Sequence, residues 1–437
     1  MSIGERLKQL VSPLRGTPLS PVKRGMYSYM RDSDGRLSRV HLRVEPDGQG
    51  TMLVNASTAA RLTRSGVLLV KGLLEGVAEE KLFTAARRAF RGTTKAAVHQ
   101  DLVRLTSLLD EMTEPTGAYP ITSMSQFMPT PRESQLIAPF KADLSFDTVH
   151  SMDPILDKLW TIGVPHITLL APKDVNQDVL VHAIEHAEDL GMITGVRGRG
   201  TDLNRGTLLE RMGQAGLDHL TVLHAASTAE LHDGLCGPGD HANARATIAR
   251  SGELEICPVV QIPLTVSTCR ELEETLSDLE EMQVQHLSVF ALATTGDASE
   301  AGDTEAIHSQ ALPGLCQQLE ALASETNTSL MWAPPVTADG TQSAAEQICA
   351  GPRCTGDVTV RVEPDGSVIP ARGPWMAAGN LLHDDWETIW SHSAFRVFRE
   401  RIAEPRACAM CPGLAICESG CPADPDGWTS DGVTKNA

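Results

Sequence analysis

Four cysteines close together dominate the chemistry open to this sequence: Cys408-x2-Cys411-x5-Cys417-x3-Cys421. Thiolates are soft ligands, and gaps this short let one loop wrap one metal centre, so the pattern suits an iron–sulfur cluster or a zinc ion. Spacing alone does not separate one zinc from one cluster or from ligands shared by two clusters. Of the ten cysteines, Cys349 and Cys354 also fall near the C-terminal end, while Cys236, Cys257, Cys269 and Cys316 are scattered through the middle. The run MSIGERLKQLVSPLRG has no apolar secretory core, so a cytoplasmic location is expected. In that reducing compartment, clustered cysteines argue for metal rather than disulfides.

Other residues offer weaker chemistry. His182-Ala183-Ile184-Glu185-His186 matches the H-x-x-E-H zinc-peptidase pattern. The same spacing arises on the polar face of a crossover helix, and that is the reading preferred here. Residues 195–202 (GVRGRGTD) read as a tight strand-to-helix turn, in which Arg197 and Arg199 are candidates to hold a phosphate or carboxylate. His150, His219, His224, His232 and His241 fall near the ends of expected strands. His224 and Asp233, with the two arginines, form a candidate residual ligand pocket, weighed against a hydrogen-bonded polar rim.

The elements that must position these groups follow from periodicity. Residues 36–112 read as a hairpin (Arg39–Val44, turn Glu45-Pro46-Asp47-Gly48, Thr51–Asn55) and three helices, a winged-helix-like domain whose first helix is capped at Asn55-Ala56-Ser57. Arg39, His41 and Arg43 alternate with Val40, Leu42 and Val44, so one face of the first strand reads as basic. Residues 113–140 are proline-rich and read as a linker. Residues 141–335 alternate short apolar strands with amphipathic helices, the signature of a parallel sheet with crossover helices. Their length allows about six units, a partial (β/α)6 TIM-like barrel. Residues 349–425 hold a second hairpin, a helix from about Trp386 and the cysteine cluster. The fold class expected is therefore α/β.

The chain has 437 residues, with 37 Lys plus Arg against 56 Asp plus Glu and a formal charge of −19. So acidic a surface repels phosphate backbones and anionic headgroups, and neither a nucleic acid nor a membrane is expected as partner. No window approaches the length of an apolar membrane span.

These residues carry a resemblance. The order Val362–Pro370 (VEPDGSVIP), Gly379-Asn380-Leu381, Ile389-Trp390, Arg399 and C-x2-C-x5-C-x3-C is similar to the SPASM extension of radical SAM enzymes. The middle region resembles the radical SAM partial barrel, and residues 36–112 resemble the PqqD-like peptide-recognition domain. The resemblance implies that Arg39, His41 and Arg43 line an edge where a leader or precursor peptide adds as a strand. It also implies that Cys349, Cys354 and Cys421 could serve one auxiliary cluster, and Cys408, Cys411 and Cys417 another.

Departures from the family are as informative. Its catalytic cluster is held by C-x3-C-x2-C after the first barrel strand, yet here Lys141–Leu144 runs into Ser145-Phe146-Asp147, and the first cysteine of the chain is Cys236. The acidic turn after the second strand is replaced by Ala171-Pro172-Lys173-Asp174. The SPASM part lacks a cysteine at Ala371 and any after Cys421. Two three-thiolate clusters, one four-cysteine [4Fe-4S] site at 408–421, or zinc in that site all remain open, the single four-cysteine site being preferred. The expectation is a degenerate family member that has lost S-adenosylmethionine chemistry and acts as a binding or scaffold partner in peptide or peptide-derived cofactor maturation, beside an intact radical SAM enzyme. The alternatives are an active radical SAM enzyme with unrecognised ligation and a zinc-stabilised interaction protein.

Overall fold

The computed structural model describes residues 22–33, 36–55, 58–113, 136–147, 150–171, 173, 176–294, 305–308, 311–325, 328–333, 335–353, 359–370 and 375–395. They divide into two compact units, Met1–Pro139 with Leu159–Pro165, and Phe140–Lys158 with His166–Ala437.

The first unit contains an antiparallel sheet in the order β1 (Gly25–Ser33), β2 (Arg36–Val44), β3 (Gly50–Val54) and β4 (Thr58–Leu62). The β2–β3 hairpin is the one expected from the alternation. Its turn closes through Gly48 N donating to Glu45 O at 2.9 Å, with Gly48 at φ 81°. The outer strands differ from expectation. GMYSYMRDS is too polar to signal a strand on its own, yet it pairs along the whole of β2. Asn55 does not open a helix. It turns the chain at φ 49°, a left-handed conformation that asparagine tolerates, and Thr58–Leu62 returns along β3. Helix α1 (Arg64–Leu74) starts later, capped by the Thr63 hydroxyl accepting from Gly66 N. With α2 (Glu79–Ala89) and α3 (Lys95–Thr113) it buries Val67, Leu69, Leu82, Leu105 and Leu109 against Val40, Leu42, Val44 and Met52 of the sheet.

The opposite face of β2 corrects the expectation of an exposed basic edge. β2 is an interior strand, and His41 and Arg43 are fully buried. Arg43 Nε lies 2.6 Å from Glu45 Oε1, and Nη1 donates to Pro139 O at 2.9 Å and Gly163 O at 3.3 Å. The His41 ring meets Trp160 edge-on at 5.9 Å. A guanidinium can be buried this way because Nε and Nη1 are met by a carboxylate and carbonyls.

The second unit is built on six parallel strands, β5 (Lys141–Ser145), β6 (His166–Leu170), β7 (Ile193–Arg199), β8 (His219–Leu223), β9 (Cys257–Leu264) and β10 (His286–Thr294), neighbours in sequence order. Between them run α4 (Asp153–Ile162), α5 (Gln177–Leu190), α6 (Gly200–Leu203), α7 (Leu208–Gln214), α8 (Ala229–Cys236), α9 (Asp240–Glu253) and α10 (Leu272–Glu281). Right-handed crossovers in unbroken order favour one face of the sheet for the crossover helices, whereas α8 packs with Leu223 and Phe290 of the other face. The crossover face is apolar: Ala142, Leu144, Ile167, Leu169, Val196, Leu220, Val222, Val260 and Ile262 are all buried. The alternate positions include buried polar residues, among them Lys141, Asp143, His166, Thr168, His219 and Gln261. This polar inner face is what a partial barrel encloses and an open doubly wound sheet lacks.

Beyond β10 lie β11 (Ile307–His308), α11 (Leu312–Glu325), β12 (Ser329–Trp332), β13 (Val336–Thr337) and α12 (Ala344–Ala350), with all three strands parallel to β10. The hairpin expected near residue 360 is present as β14 (Thr359–Val362) and β15 (Ser367–Pro370), followed by β16 (Gly379–Asn380) and α13 (Trp386–Trp390). β14 also pairs in parallel with β5, setting Arg361 opposite Asp143.

Candidate functional site

Parallel α/β sheets gather their ligands beyond the carboxyl ends of the strands. At that end of β7, Arg197 and Arg199 project two residues apart on one face. Arg197 Nε donates to Gln261 Oε1 at 2.6 Å, and its Nη1 reaches Cys349 O at 3.2 Å and Ala350 O at 3.1 Å. Arg199 is paired with Asp202 at 2.7 Å, and its Nη1 donates to Cys236 O at 2.9 Å. The two guanidinium groups thus cap the carboxyl ends of α12 and α8, where helix carbonyls lack partners and a positive charge is favoured. Gly351 is required for this. It sits at φ 69°, and a Cβ there would lie 2.1 Å from Arg197 Nη2. Arg199 is thus met by a carboxylate and a carbonyl, whereas Arg197 meets an amide oxygen and two carbonyls and its buried Nη2 has no hydrogen-bond partner among the described residues.

Around them lies a buried cluster of histidine, cysteine and aspartate. His232 Nδ1 accepts from Ala225 N at 3.1 Å, and its Nε2 faces Asp240 Oδ2 at 3.0 Å. A backbone N–H can only donate, so Nε2 carries the ring proton and donates to the carboxylate. Thr201 N and Oγ1 both donate to Asp240 Oδ1 at 2.7 Å. Their approach depends on Gly200, where a Cβ would lie 2.1 Å from Ala244 N. Burial lifts the Asp240 carboxyl, but the hydrogen bonds from His232 and Thr201 outweigh it and hold the group below its ordinary value. His232, Cys236 and Asp240 offer donor atoms within 4.8 Å of one another, which no other three described residues of these types do. With both ring nitrogens of His232 committed, the group is a hydrogen-bonded core and not a metal cage.

His224 follows β8, its ring 5.0 Å from that of His232 and 5.4 Å from that of His241. It is fully buried, neither ring nitrogen has a hydrogen-bond partner, and the nearest carboxylate oxygen, of Asp278, is 4.0 Å away. Burial, then the neighbouring His232, His241 and Arg245, push its imidazole down to about 3, so it is neutral at pH 7. Asp233 lies apart from this group: its carboxylate accepts from Gly239 N at 2.7 Å and His241 N at 2.8 Å at the start of α9. The residual pocket expected from Arg197, Arg199, His224 and Asp233 is thus brought to one end of the sheet, but three of the four are occupied by structural partners.

The pair that sequence reasoning missed is Cys236 and Cys349. Cys349 packs against the apolar cluster that holds Cys236, and its Sγ lies 3.7 Å from Leu235 O. The neighbouring Cys236 thiol, with help from Arg199 and Arg197, brings the Cys349 thiol down to about 7 against the opposing effect of burial. The same contact and burial push the Cys236 thiol up. Nothing in the spacing of residues 236 and 349 signals this. Cys354, Cys408, Cys411, Cys417 and Cys421 lie outside the described residues.

The remaining expectations are placed as follows. His182 and His186 pair with Asp153 at 3.2 Å and Asp157 at 2.9 Å on the adjacent α4, which is the crossover-helix reading of H-x-x-E-H. His219 lies at the amino end of β8, where its Nε2 meets His166 Nε2 at 2.7 Å. Asp143 is buried on the inner face. Burial raises its carboxyl, opposed by Lys141, Arg361 and Arg197.

Residues 354–412 match the iron–sulfur cluster-binding SPASM domain, a match that begins after Cys349. Among solved structures the chain is similar to Streptococcus suis SuiB bound to S-adenosylmethionine, at 12% identity and TM-score 0.57, covering 90% of this chain and 98% of that one. The chain has the fold of SuiB. SuiB bound to its precursor peptide SuiA gives 12% identity and TM-score 0.56, covering 90% of this chain and 95% of that one. The anSMEcpe structure with bound AdoMet and the Kp18Cys peptide gives 12% identity and TM-score 0.49, covering 67% of this chain and 91% of that one. No curated protein sequence matches the chain. Likeness to SuiB at this identity establishes the fold, and activity must be argued from the residues.

Proposed function

We propose that this chain is a radical SAM/SPASM-family protein without radical chemistry of its own, acting as a binding or scaffold partner in the maturation of a peptide or peptide-derived cofactor. One observation carries the reading: no cysteine precedes Cys236, so the carboxyl end of β5 offers Ser145, Phe146 and Asp147 where three thiolates would be needed. Cys236 and Cys349 do not compensate, because no three cysteines converge among the described residues. A cluster with one open iron requires three thiolates. The donor set present therefore does not fit the S-adenosylmethionine-binding cluster, and no step is derived through it.

The C-terminal cysteines do fit a metal centre. Cys408, Cys411, Cys417 and Cys421 would supply the four thiolates of one iron–sulfur cluster whose role is to stabilise its segment, since metal binding contributes folding free energy. The SPASM match supports iron over zinc. Similarity to a protein crystallised with its precursor peptide supports a peptide as partner. With β2 interior, an added strand would use the outer edge of β1, which carries the exposed Met30.

The test is anaerobic purification, absorption at about 400 nm, counting of iron, sulfide and zinc, and an assay for S-adenosylmethionine cleavage after reduction. Iron and sulfide without cleavage are expected. Formation of 5′-deoxyadenosine refutes the reading, and zinc without iron removes its cluster.

A further inference from the structure

We infer that Cys236 and Cys349 form a thiol–disulfide exchange site at the carboxyl end of the barrel strands, Cys349 being the attacking thiol and Cys236 the resolving one. This does not rest on the proposed function.

The argument starts from how the two sulfurs are brought together. They stand 113 residues apart in the chain (349 − 236), on the last turns of α8 and α12. Arg199 donates to the carbonyl of Cys236, and Arg197 to the carbonyls of Cys349 and Ala350. Two arginines of one strand therefore hold the backbone of both cysteines, and Gly351 admits the guanidinium that does half of this work. The result is two thiols packed in one apolar cluster, with Cys349 Sγ 3.7 Å from the carbonyl of the residue preceding Cys236.

The pair is asymmetric in the way exchange requires. Cys236 is 1% exposed, whereas Cys349 is partly open to solvent, and both are free thiols. A reagent reaches Cys349 first, and the thiol waiting beside it is shielded. Cys257 is a buried free thiol whose Sγ lies 3.8 Å from the carbonyl oxygen of Pro258.

The co-reactant is a low-molecular-weight disulfide, RSSR. Cys349 thiolate attacks one sulfur, the S–S bond of RSSR breaks, and the first thiolate leaves with the electron pair and takes up a proton. Cys236, giving its proton to solvent, then attacks Cys349 Sγ in the mixed disulfide and expels the second RSH. The two protein thiols are oxidised to one disulfide and RSSR is reduced to two RSH, so atoms and electrons balance. The product staples the helix after β8 to the helix after β13.

The experiment uses the full-length chain, reduced, desalted and exposed to oxidised glutathione, then alkylated, digested and weighed. A peptide pair joined through Cys236 and Cys349, about 2 Da lighter than its reduced sum, is expected. Cys236→Ser should accumulate a glutathione adduct on Cys349. Cys349→Ser should leave Cys236 unmodified. Glutathione on Cys349 of the parent chain with no cross-link overturns the proposal, as does full alkylation of both thiols. Zinc retained by the reduced parent and lost from Cys349→Ser, with both thiols unreactive, also overturns it and makes the pair a metal centre. The parent chain alone decides the first outcomes, so a variant that fails to fold leaves the test intact.

Discussion

Acidification should unfold the second unit through two histidines that the fold keeps neutral. His219 is pushed down to about 3 by burial and then by Lys141, and His224 to about 3 by burial and its cationic neighbours. In the unfolded chain each titrates at about 6.5. Between these values the unfolded state binds the extra proton and the folded state does not, so stability is intact above pH 6.5 and is lost as the pH falls toward 3. One unit of pKa difference corresponds to about 1.4 kcal/mol, and at pH 5 about 1.5 units of the gap are expressed. Each histidine then costs about 2 kcal/mol, and the pair about 4 kcal/mol, a large part of an ordinary domain's stability. Other groups also titrate, so the measurement is a difference. Urea unfolding of the parent chain and of the double variant His219→Gln, His224→Leu is compared at pH 7 and pH 5, followed by circular dichroism and by hydrogen exchange in β8. The variant should lose about 4 kcal/mol less than the parent between the two pH values. Equal losses would refute the claim that these imidazoles are held neutral by burial.

Arg43→Met should destabilise the first unit by about 3–5 kcal/mol, because the buried Glu45 loses its ion-pair partner, and adding Glu45→Gln should recover part of that in thermal melts. Gly200→Ala should cost about 1–3 kcal/mol by forcing α6 off Ala244. Its readout is faster hydrogen exchange at Thr201, whose N–H bonds Asp240. Thr63→Ala removes the α1 cap and should cost about 1 kcal/mol in the same melts. Cys411→Ala should lower iron content and solubility while leaving the hydrogen exchange of β5–β10 unchanged.

The parallel sheet was legible because its signals are local. His166–Leu170 alternates polar His166 and Thr168 with apolar Ile167 and Leu169 over one strand's length, and Gln177–Leu190 repeats at helical spacing with Asn176 as cap and Gly191 closing it at φ 87°. Arg43 was misread because alternation says which side a residue faces and nothing about what covers that side. Here the cover comes from residues near 139 and 163, far along the chain. The β1 strand was missed for the same reason, its polar sequence being stabilised by pairing with β2 and not by its own periodicity. The candidate site was half legible. Arg197, Arg199 and His224 were singled out by lying after strands, but what Arg197 binds depends on α12, which returns from 152 residues later. A cysteine pair made by that return has no spacing to read.

The parallel pairing of β14 with β5 has a consequence for how this polypeptide can be divided. The SPASM match includes β14, so the accessory segment supplies a strand to the central sheet and is no detachable appendage. Cutting the chain ahead of residue 359 would strip β5 of a neighbour and bare a row of main-chain donors and acceptors, a template for self-association. Fragments meant to isolate the barrel should therefore precipitate unless they keep the hairpin, and gene shortening from the 3′ end would meet the same barrier.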